Sequence, residues 1–212
     1  MDQFIKGMID LINPLNTLLI IANGSSILNH QYGNEIDKFS NIARINNYST
    51  TDYEEFVGSK TDIWFNGANQ GLKNRIVKPN RIVVFIPAEI LSRKGDAIHQ
   101  RIEKRLDTQR SNYELISSNE MLRYENQVGV TRPTTGTSSI IWGLDNFDKV
   151  VIHGFDFFID SQTHYNENPL MRWLIEKHIV KKATKHNMSD EKKYIESLLL
   201  SKKVVLLKDY LK

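Results

Sequence analysis

Short apolar runs rich in β-branched residues recur along the chain, separated by segments whose apolar positions return at helical spacing. The runs Thr17 to Ala22, Asn41 to Ile45, Thr61 to Phe65, Arg81 to Ile86, Tyr113 to Ile116, Lys149 to His153 and Val204 to Leu207 predict strands. Helices are predicted at Ala97 to Leu106, Ser118 to Asn126, Thr135 to Phe147, Pro169 to Thr184 and Asp190 to Ser201. Such alternation is the habit of an α/β fold with a mostly parallel sheet flanked by helices. In the last helix, Tyr194, Ile195, Leu198 and Leu199 make one apolar stripe behind a Ser189 cap, a pattern of core packing.

The stretch from Ser92 to Val130 is the least regular, with little apolar periodicity before Leu115. It is open to two readings, a lid or acceptor-binding loop at the strand ends, or a plain surface excursion. No internal repeat and no Pro-rich or Ser-rich linker divides the chain, so residues 1–212 are expected to form a single domain.

Composition narrows the class. With 212 residues, 25% of them charged and a net charge of only +3, the chain reads as globular, with no basic excess that would call for nucleic acid. The late lysine pairs interleave with Asp190, Glu191 and Glu196, as on a solvated helix face. There is no cysteine, which excludes disulfides and thiol chemistry and suits a reducing compartment. The segment from Met1 to Ile12 is too polar for a signal peptide, and no run reaches the roughly 18 apolar residues of a membrane helix. A soluble protein, or one at most peripheral to a membrane, is expected.

Two turns and two histidines are candidates for chemistry. Asn23-Gly24-Ser25-Ser26 follows the first strand, at the end of the sheet where α/β proteins bind ligands, although it is also ordinary turn chemistry. Thr134-Thr135-Gly136-Thr137-Ser138-Ser139 is rich in hydroxyls that suit a helix start, where they cap the helix or join its free N–H groups on an anion. His164 and His186 each precede an acid, Glu167 and Glu191, and neutral imidazole is the usual proton carrier near pH 7. Metal binding is not expected, since there is no His-Glu-x-x-His and no Asp-x-Asp.

In order, these pieces resemble the sialyltransferase family of animals and some bacteria. The first family motif is similar to Asn23-Gly24-Ser25-Ser26, Arg44-Ile45-Asn46, Tyr53 and Val57-Gly58-Ser59-Lys60-Thr61. The second is similar to Pro133-Thr134-Thr135-Gly136-Thr137-Ser138 through Gly154-Phe155, the third to His164-Tyr165-Asn166-Glu167, and the fourth to His186 with Glu191. Ser25 stands where the family has Pro, Asn166 replaces a second Tyr, and Phe147 occupies the place of a disulfide cysteine in animal members.

The resemblance implies a Rossmann-like fold of the glycosyltransferase-A type and an inverting, metal-independent transfer of sialic acid from CMP-sialic acid to a glycan hydroxyl. It implies that Asn23, Ser25 and Asn46 meet the donor phosphate region beside Gly24. Thr135, Gly136, Thr137 and Ser138 would line the CMP pocket with Phe155. His164 would stabilise the leaving phosphate with Tyr165 near it, and His186, with Glu191, would supply the general base. The partners implied are a CMP-sugar donor and a glycan acceptor, lipid-linked or part of a surface polysaccharide, in the cytoplasm or at the inner face of the membrane. Two alternatives stay open: another CMP-activated 2-keto sugar such as Kdo, or a non-catalytic nucleotide- or glycan-binding module of the same fold.

Overall fold

The computed structural model describes residues 16–156 and 188–212. The predicted helix from Pro169 to Thr184 lies outside the described residues, as do His164, Tyr165 and His186. All seven predicted strands form, β2 and β6 with the predicted ends and the others within two residues of them: β1 Thr17–Ile21, β2 Asn41–Ile45, β3 Ile63–Asn66, β4 Arg81–Val84, β5 Glu114–Leu115, β6 Lys149–His153 and β7 Val204–Leu206. They pair side by side, every one parallel to its neighbour, in the order β5-β4-β3-β2-β1-β6-β7. Register places Leu18 of β1 against Asn41 on one side and Val150 on the other.

Helices return the chain between strands: α1 Gly33–Ile36, α2 Glu54–Val57, α3 Ala88–Lys94, α4 Ala97–Leu106, α5 Ser118–Val128, α6 Thr135–Asn146, α7 Met188–Leu200 and α8 Leu207–Tyr210. Pleat alternation splits the apolar side chains between two faces. Leu18 and Ile20 of β1 join one core with Trp64, Phe65, Ile140 and Ile195, whereas Leu19 and Ile21 join a second with Ile27, Ile36, Val57 and Leu207. A strand buried on both faces must be apolar throughout, which is why β1 reads as a continuous run.

The region from Ser92 to Val130 packs on the core rather than making a plain surface excursion. Ile98, Ile102 and Leu106 recur every fourth residue on α4 and are buried, 2% exposed at most, as are Ile116, Met121 and Tyr124 after them, with Tyr113 at 9%. Its polar look comes from a single narrow stripe on a helix otherwise facing solvent. Helix α3 had no sequence forecast, because Pro87 and two buried apolar residues, Ala88 and Leu91, leave too short a pattern to recognise. Helix α5 starts with a capping box, the Ser117 hydroxyl accepting the Glu120 N–H at 3.2 Å, and stops at Gly129 with φ of 78°. Helix α7 extends back to Met188, so Ser189 lies inside it rather than at its cap. Its apolar stripe is core, as expected, with Ile195 and Leu198 buried. Lys193 pairs with Asp190 at 3.4 Å and Lys192 with Glu196 at 3.9 Å on its solvated side.

Candidate active site

Strand order reverses at β1: β2 leads to one edge of the sheet, β6 to the other. Connections leave such a point in opposite directions, so in sheets of this kind ligands bind in the crevice outside the carboxyl ends of the two strands at the switch, here β1 and β6. Asn23 to Ser26 and Gly154 to Asp156 lie there. The two turns are laced together, the Ala22 N–H donating to the His153 carbonyl at 2.9 Å and the Gly24 N–H to the Gly154 carbonyl at 2.9 Å. Asp156 crosses the crevice and accepts the Ser26 N–H at 3.0 Å and the Ser26 hydroxyl. Gly24 permits this approach, since a Cβ there would run into the Asp156 carboxyl group. Gly154 adopts φ of 72°, a backbone that disfavours any other residue.

The asparagines tie neighbouring strand ends to this turn. Asn23, 8% exposed, donates through Nδ2 to the Ile45 carbonyl at 2.9 Å, just before Asn46. Asn46 takes a left-handed φ of 48°, which asparagine tolerates, and turns its Oδ1 to the Gly67 N–H at 3.3 Å. A Cβ on Gly67 would stand 3.2 Å from the Thr135 hydroxyl oxygen. A Cβ on Gly136 would stand 3.1 Å from Phe155 Cε1 and 3.8 Å from Ile45 Cδ1. The fold thus gathers Asn23, Gly24, Ser25, Asn46, Thr135, Gly136 and Phe155, drawn from four separate parts of the sequence, at the carboxyl end of the sheet.

The hydroxyl-rich start of α6 divides by depth. Thr134 is the N-cap, its hydroxyl accepting the Thr137 N–H at 3.2 Å. Thr134, Thr135 and Gly136 are half-buried, whereas Thr137, Ser138 and Ser139 are at most 2% exposed. An anion already occupies part of the predicted cradle, and it belongs to the protein. Glu191 of α7, wholly buried, accepts the Thr134 N–H at 2.9 Å, the Thr134 hydroxyl at 2.7 Å and the Thr137 hydroxyl. Glu191 lies on the same buried face of α7 as Ile195, one turn away, so it points to α6. Its Oε1 and the hydroxyl of Ser138 are buried without a hydrogen-bond partner among the described residues. The N–H groups of Thr135 and Gly136, in the first helical turn, stay available to a ligand because such groups have no intrahelical acceptor.

Several residues here escaped the sequence reading. Asp156 follows Phe155 directly, and only the fold reveals that it crosses to Ser26. His153 ends β6 behind the crevice, its ring 5.7 Å from that of Tyr32, which in turn stacks on His30 at 5.0 Å. Burial holds the His153 imidazole down to a pKa of about 4, helped by the charges of His30 and Arg44 and opposed by Asp156. The stretch from Val57 to Thr61 is scaffolding. Arg44, with no exposure at all, donates to the carbonyls of Val57 at 2.6 Å, Gly58 at 3.1 Å and Lys60 at 2.9 Å, and Asp37 accepts the N–H groups of Ser59 and Lys60. Burial raises the Asp37 pKa, but the donated hydrogen bonds and the Arg44 charge outweigh it and leave the carboxyl below its ordinary value.

Among the described residues no group of three acidic, histidine or cysteine side chains is placed to hold a metal, and no helix is long and apolar enough to cross a membrane. An open cavity of about 550 Å³ between Lys78 and Glu114 lies at the amino ends of β4 and β5, the opposite end of the strands from the crevice.

With this geometry in place, comparison with known proteins is informative. The model of glycosyltransferase family 29 (sialyltransferase) matches residues 13–89 and 99–203, most of the chain and both sides of the crevice. A β-1,6-galactosyltransferase, GALT29A of Arabidopsis thaliana, is 44% identical over 75 residues, a match spanning 32% of this chain and 19% of that protein. Among solved structures, a mammalian sialyltransferase superposes with a TM-score of 0.67 at 17% identity, covering 93% of this chain and 71% of that one. A mammalian sialyltransferase in complex with Gal-β-1-3GalNAc-ortho-nitrophenol gives 0.64 at 17% identity over 94% and 71%. The sialyltransferase CstII from Campylobacter jejuni, in complex with CMP-3FNeuAc, gives 0.50 at 15% identity over 90% and 80%. At these identities the superpositions establish the fold, a Rossmann-like sheet of the glycosyltransferase-A kind. The family model, covering both turns, α6 and α7, places the chain in glycosyltransferase family 29, the sialyltransferase family.

Proposed function

We propose that the protein is an inverting glycosyltransferase that moves sialic acid from CMP-sialic acid to a glycan hydroxyl without a metal. The observation that carries this reading is the convergence of Asn23, Asn46, Thr135, Gly136 and Phe155 at the switch point, within the segments that the family model matches. In this reading the donor phosphate rests against the N–H groups of Thr135 and Gly136, where the helix dipole favours negative charge. Asn23, Ser25 and Asn46 border it beside Gly24, and Phe155 lies against Gly136. Thr137 and Ser138 act from beneath, shaping the turn rather than touching the nucleotide, since both are buried.

As the sugar departs, charge grows on the phosphate, and preorganised donors are most effective against charge that appears in the transition state. His164, protonated and with Tyr165 beside it, adds to that stabilisation. His186 takes the proton from the acceptor hydroxyl as the oxygen attacks from the opposite face, a task for which a pKa of roughly 6.5 is suited. Glu191 holds the start of α6 in position. The acceptor is a lipid-linked glycan or a surface polysaccharide, and the single catalytic domain works in the cytoplasm or at the inner face of the membrane.

A second reading keeps the fold and the transfer but changes the donor sugar, and it is favoured by the 44% identical stretch shared with a β-1,6-galactosyltransferase. A CMP-activated 2-keto sugar such as Kdo belongs with it. Purified protein incubated with CMP-sialic acid, CMP-Kdo and UDP-galactose in parallel separates the donors. CMP-sialic acid consumption that disappears in His186→Ala while CMP binding persists supports the first reading. Unchanged transfer by that variant removes His186 as the base, and CMP binding without any donor consumption turns the protein into a binding module.

A further inference from the structure

Arg101 and Arg105 stand one turn apart on α4 and converge on a single acceptor. Arg101 donates from Nη2 to the Ala68 carbonyl at 3.2 Å, and Arg105 donates to the same oxygen from Nη1. Ala68 is wholly buried and is held at φ of 45°, a left-handed backbone that a residue with a Cβ rarely adopts. Among the described residues neither guanidinium has a carboxylate partner, and Arg101 Nε is buried without a hydrogen-bond partner.

One neutral carbonyl cannot balance two cations. Burial first, and then the Arg105 charge, lower the Arg101 pKa, as expected for like charges drawn together without an anion. Arginine forks match the oxygens of carboxylate and phosphate, and a partly desolvated pair of them is a strong receptor for either group. The pair is also well placed. Ala68 follows Gly67, where a Cβ would stand 3.2 Å from the Thr135 hydroxyl oxygen, so the carbonyl that the two guanidiniums share lies one residue from the wall of the donor crevice. Since β3 lies two strands from β1, the carboxyl end of β3 that leads to Ala68 is roughly 10 Å across the sheet from that of β1, comparable with one or two sugar rings.

We propose that Arg101 and Arg105 form an anion-binding site for the acceptor, recognising a carboxylate or phosphate carried by the glycan near the hydroxyl that is glycosylated. This rests on the reading of the β1/β6 crevice as the donor site, and it adds that acidic acceptors are preferred over neutral ones.

The test uses methyl glucuronide and methyl glucoside as probes, which differ only in the carboxylate. Their binding to the full-length protein is followed by thermal shift at matched ionic strength, with CMP calorimetry on the same samples. The wild type should bind methyl glucuronide at least tenfold more tightly than the glucoside. Arg101→Gln/Arg105→Gln should lose that preference, while Arg105→Gln alone, which keeps the Arg101 bond to Ala68, should weaken it about tenfold, the loss of one hydrogen bond to a charged group. Equal binding of the two probes by the wild type overturns the proposal, as does full retention of the preference in Arg105→Gln. A loss of CMP affinity in Arg105→Gln would instead assign the pair to the donor and overturn the acceptor role. Failure of the wild type to bind CMP counts against the donor reading alone, because the probe preference is measured without CMP.

Discussion

The Glu191 carboxylate is buried against Thr134, accepting both its backbone N–H and its hydroxyl, at 2.9 and 2.7 Å. Two residues 57 positions apart thereby share the cap of one helix, and α7 is fastened to the rim of the crevice. A carboxylate at a helix N-terminus gains from the dipole as well as from the charge-assisted hydrogen bonds.

Glu191→Gln keeps the volume but surrenders the charge and offers an amide where donors already point. It should destabilise the fold by about 1–3 kcal/mol, and Glu191→Ala by about 3 kcal/mol or more. Urea unfolding followed by circular dichroism checks both. If Glu191→Gln unfolds at the wild-type midpoint, Glu191 is not fastening α7 to α6.

His153 makes stability depend on pH. Its folded pKa, about 4, lies below the ordinary 6.5, so the unfolded chain binds more protons between the two. The contribution is fully present above pH 6.5 and is lost progressively as pH falls through 4, by roughly 3 kcal/mol in all. His153→Gln should flatten this part of the profile, read from melting temperatures between pH 4 and 7. An unchanged acid slope would show that other groups set it.

Arg44 is the buried cation on which the Val57 to Lys60 segment hangs. Arg44→Met leaves three carbonyls without their donor and should cost about 3–5 kcal/mol, measured as a lower urea midpoint at an unchanged slope. Arg44→Lys should recover little, because one ammonium cannot reach all of them.

Gly24→Ala would push the Asp156 carboxyl group away from Ser26 and spread the two turns of the crevice. CMP affinity should fall about tenfold, the effect of misplacing one hydrogen-bonded wall, with a stability loss of only about 1 kcal/mol. Calorimetry and thermal melting separate the two effects. Undiminished CMP binding would move the donor away from this turn.

Much of the architecture could be read from the chain. Strands such as β1 and β6 are buried on both faces, and a buried parallel strand has to be written as an unbroken apolar run bounded by turn residues. The stripe of α7 was equally visible, because Tyr194, Ile195, Leu198 and Leu199 fill one face of a helix. Even over Ser92 to Val130, where α4 buries only Ile98, Ile102 and Leu106 along a thin line, helices α4 and α5 and strand β5 fell where they were predicted; what the polar remainder hid was that the segment packs into the core.

The site was legible as a set of pieces and not as an arrangement. Asn23-Gly24-Ser25, Asn46 and Thr135-Gly136 announce tight turns and a helix start through residue types that tolerate those backbones, and such local requirements are written in local sequence. Partnerships across the fold are not. That Asp156 meets Ser26, that two arginines of α4 face Ala68, and that Glu191 turns to Thr134 depend on strand order and helix placement, which follow from the packing of the whole core. The chain by itself determined which segments are strands and helices and where its turns fall. The tertiary structure decided which side chains meet at the crevice, because a contact between distant residues takes its geometry from the entire sheet between them.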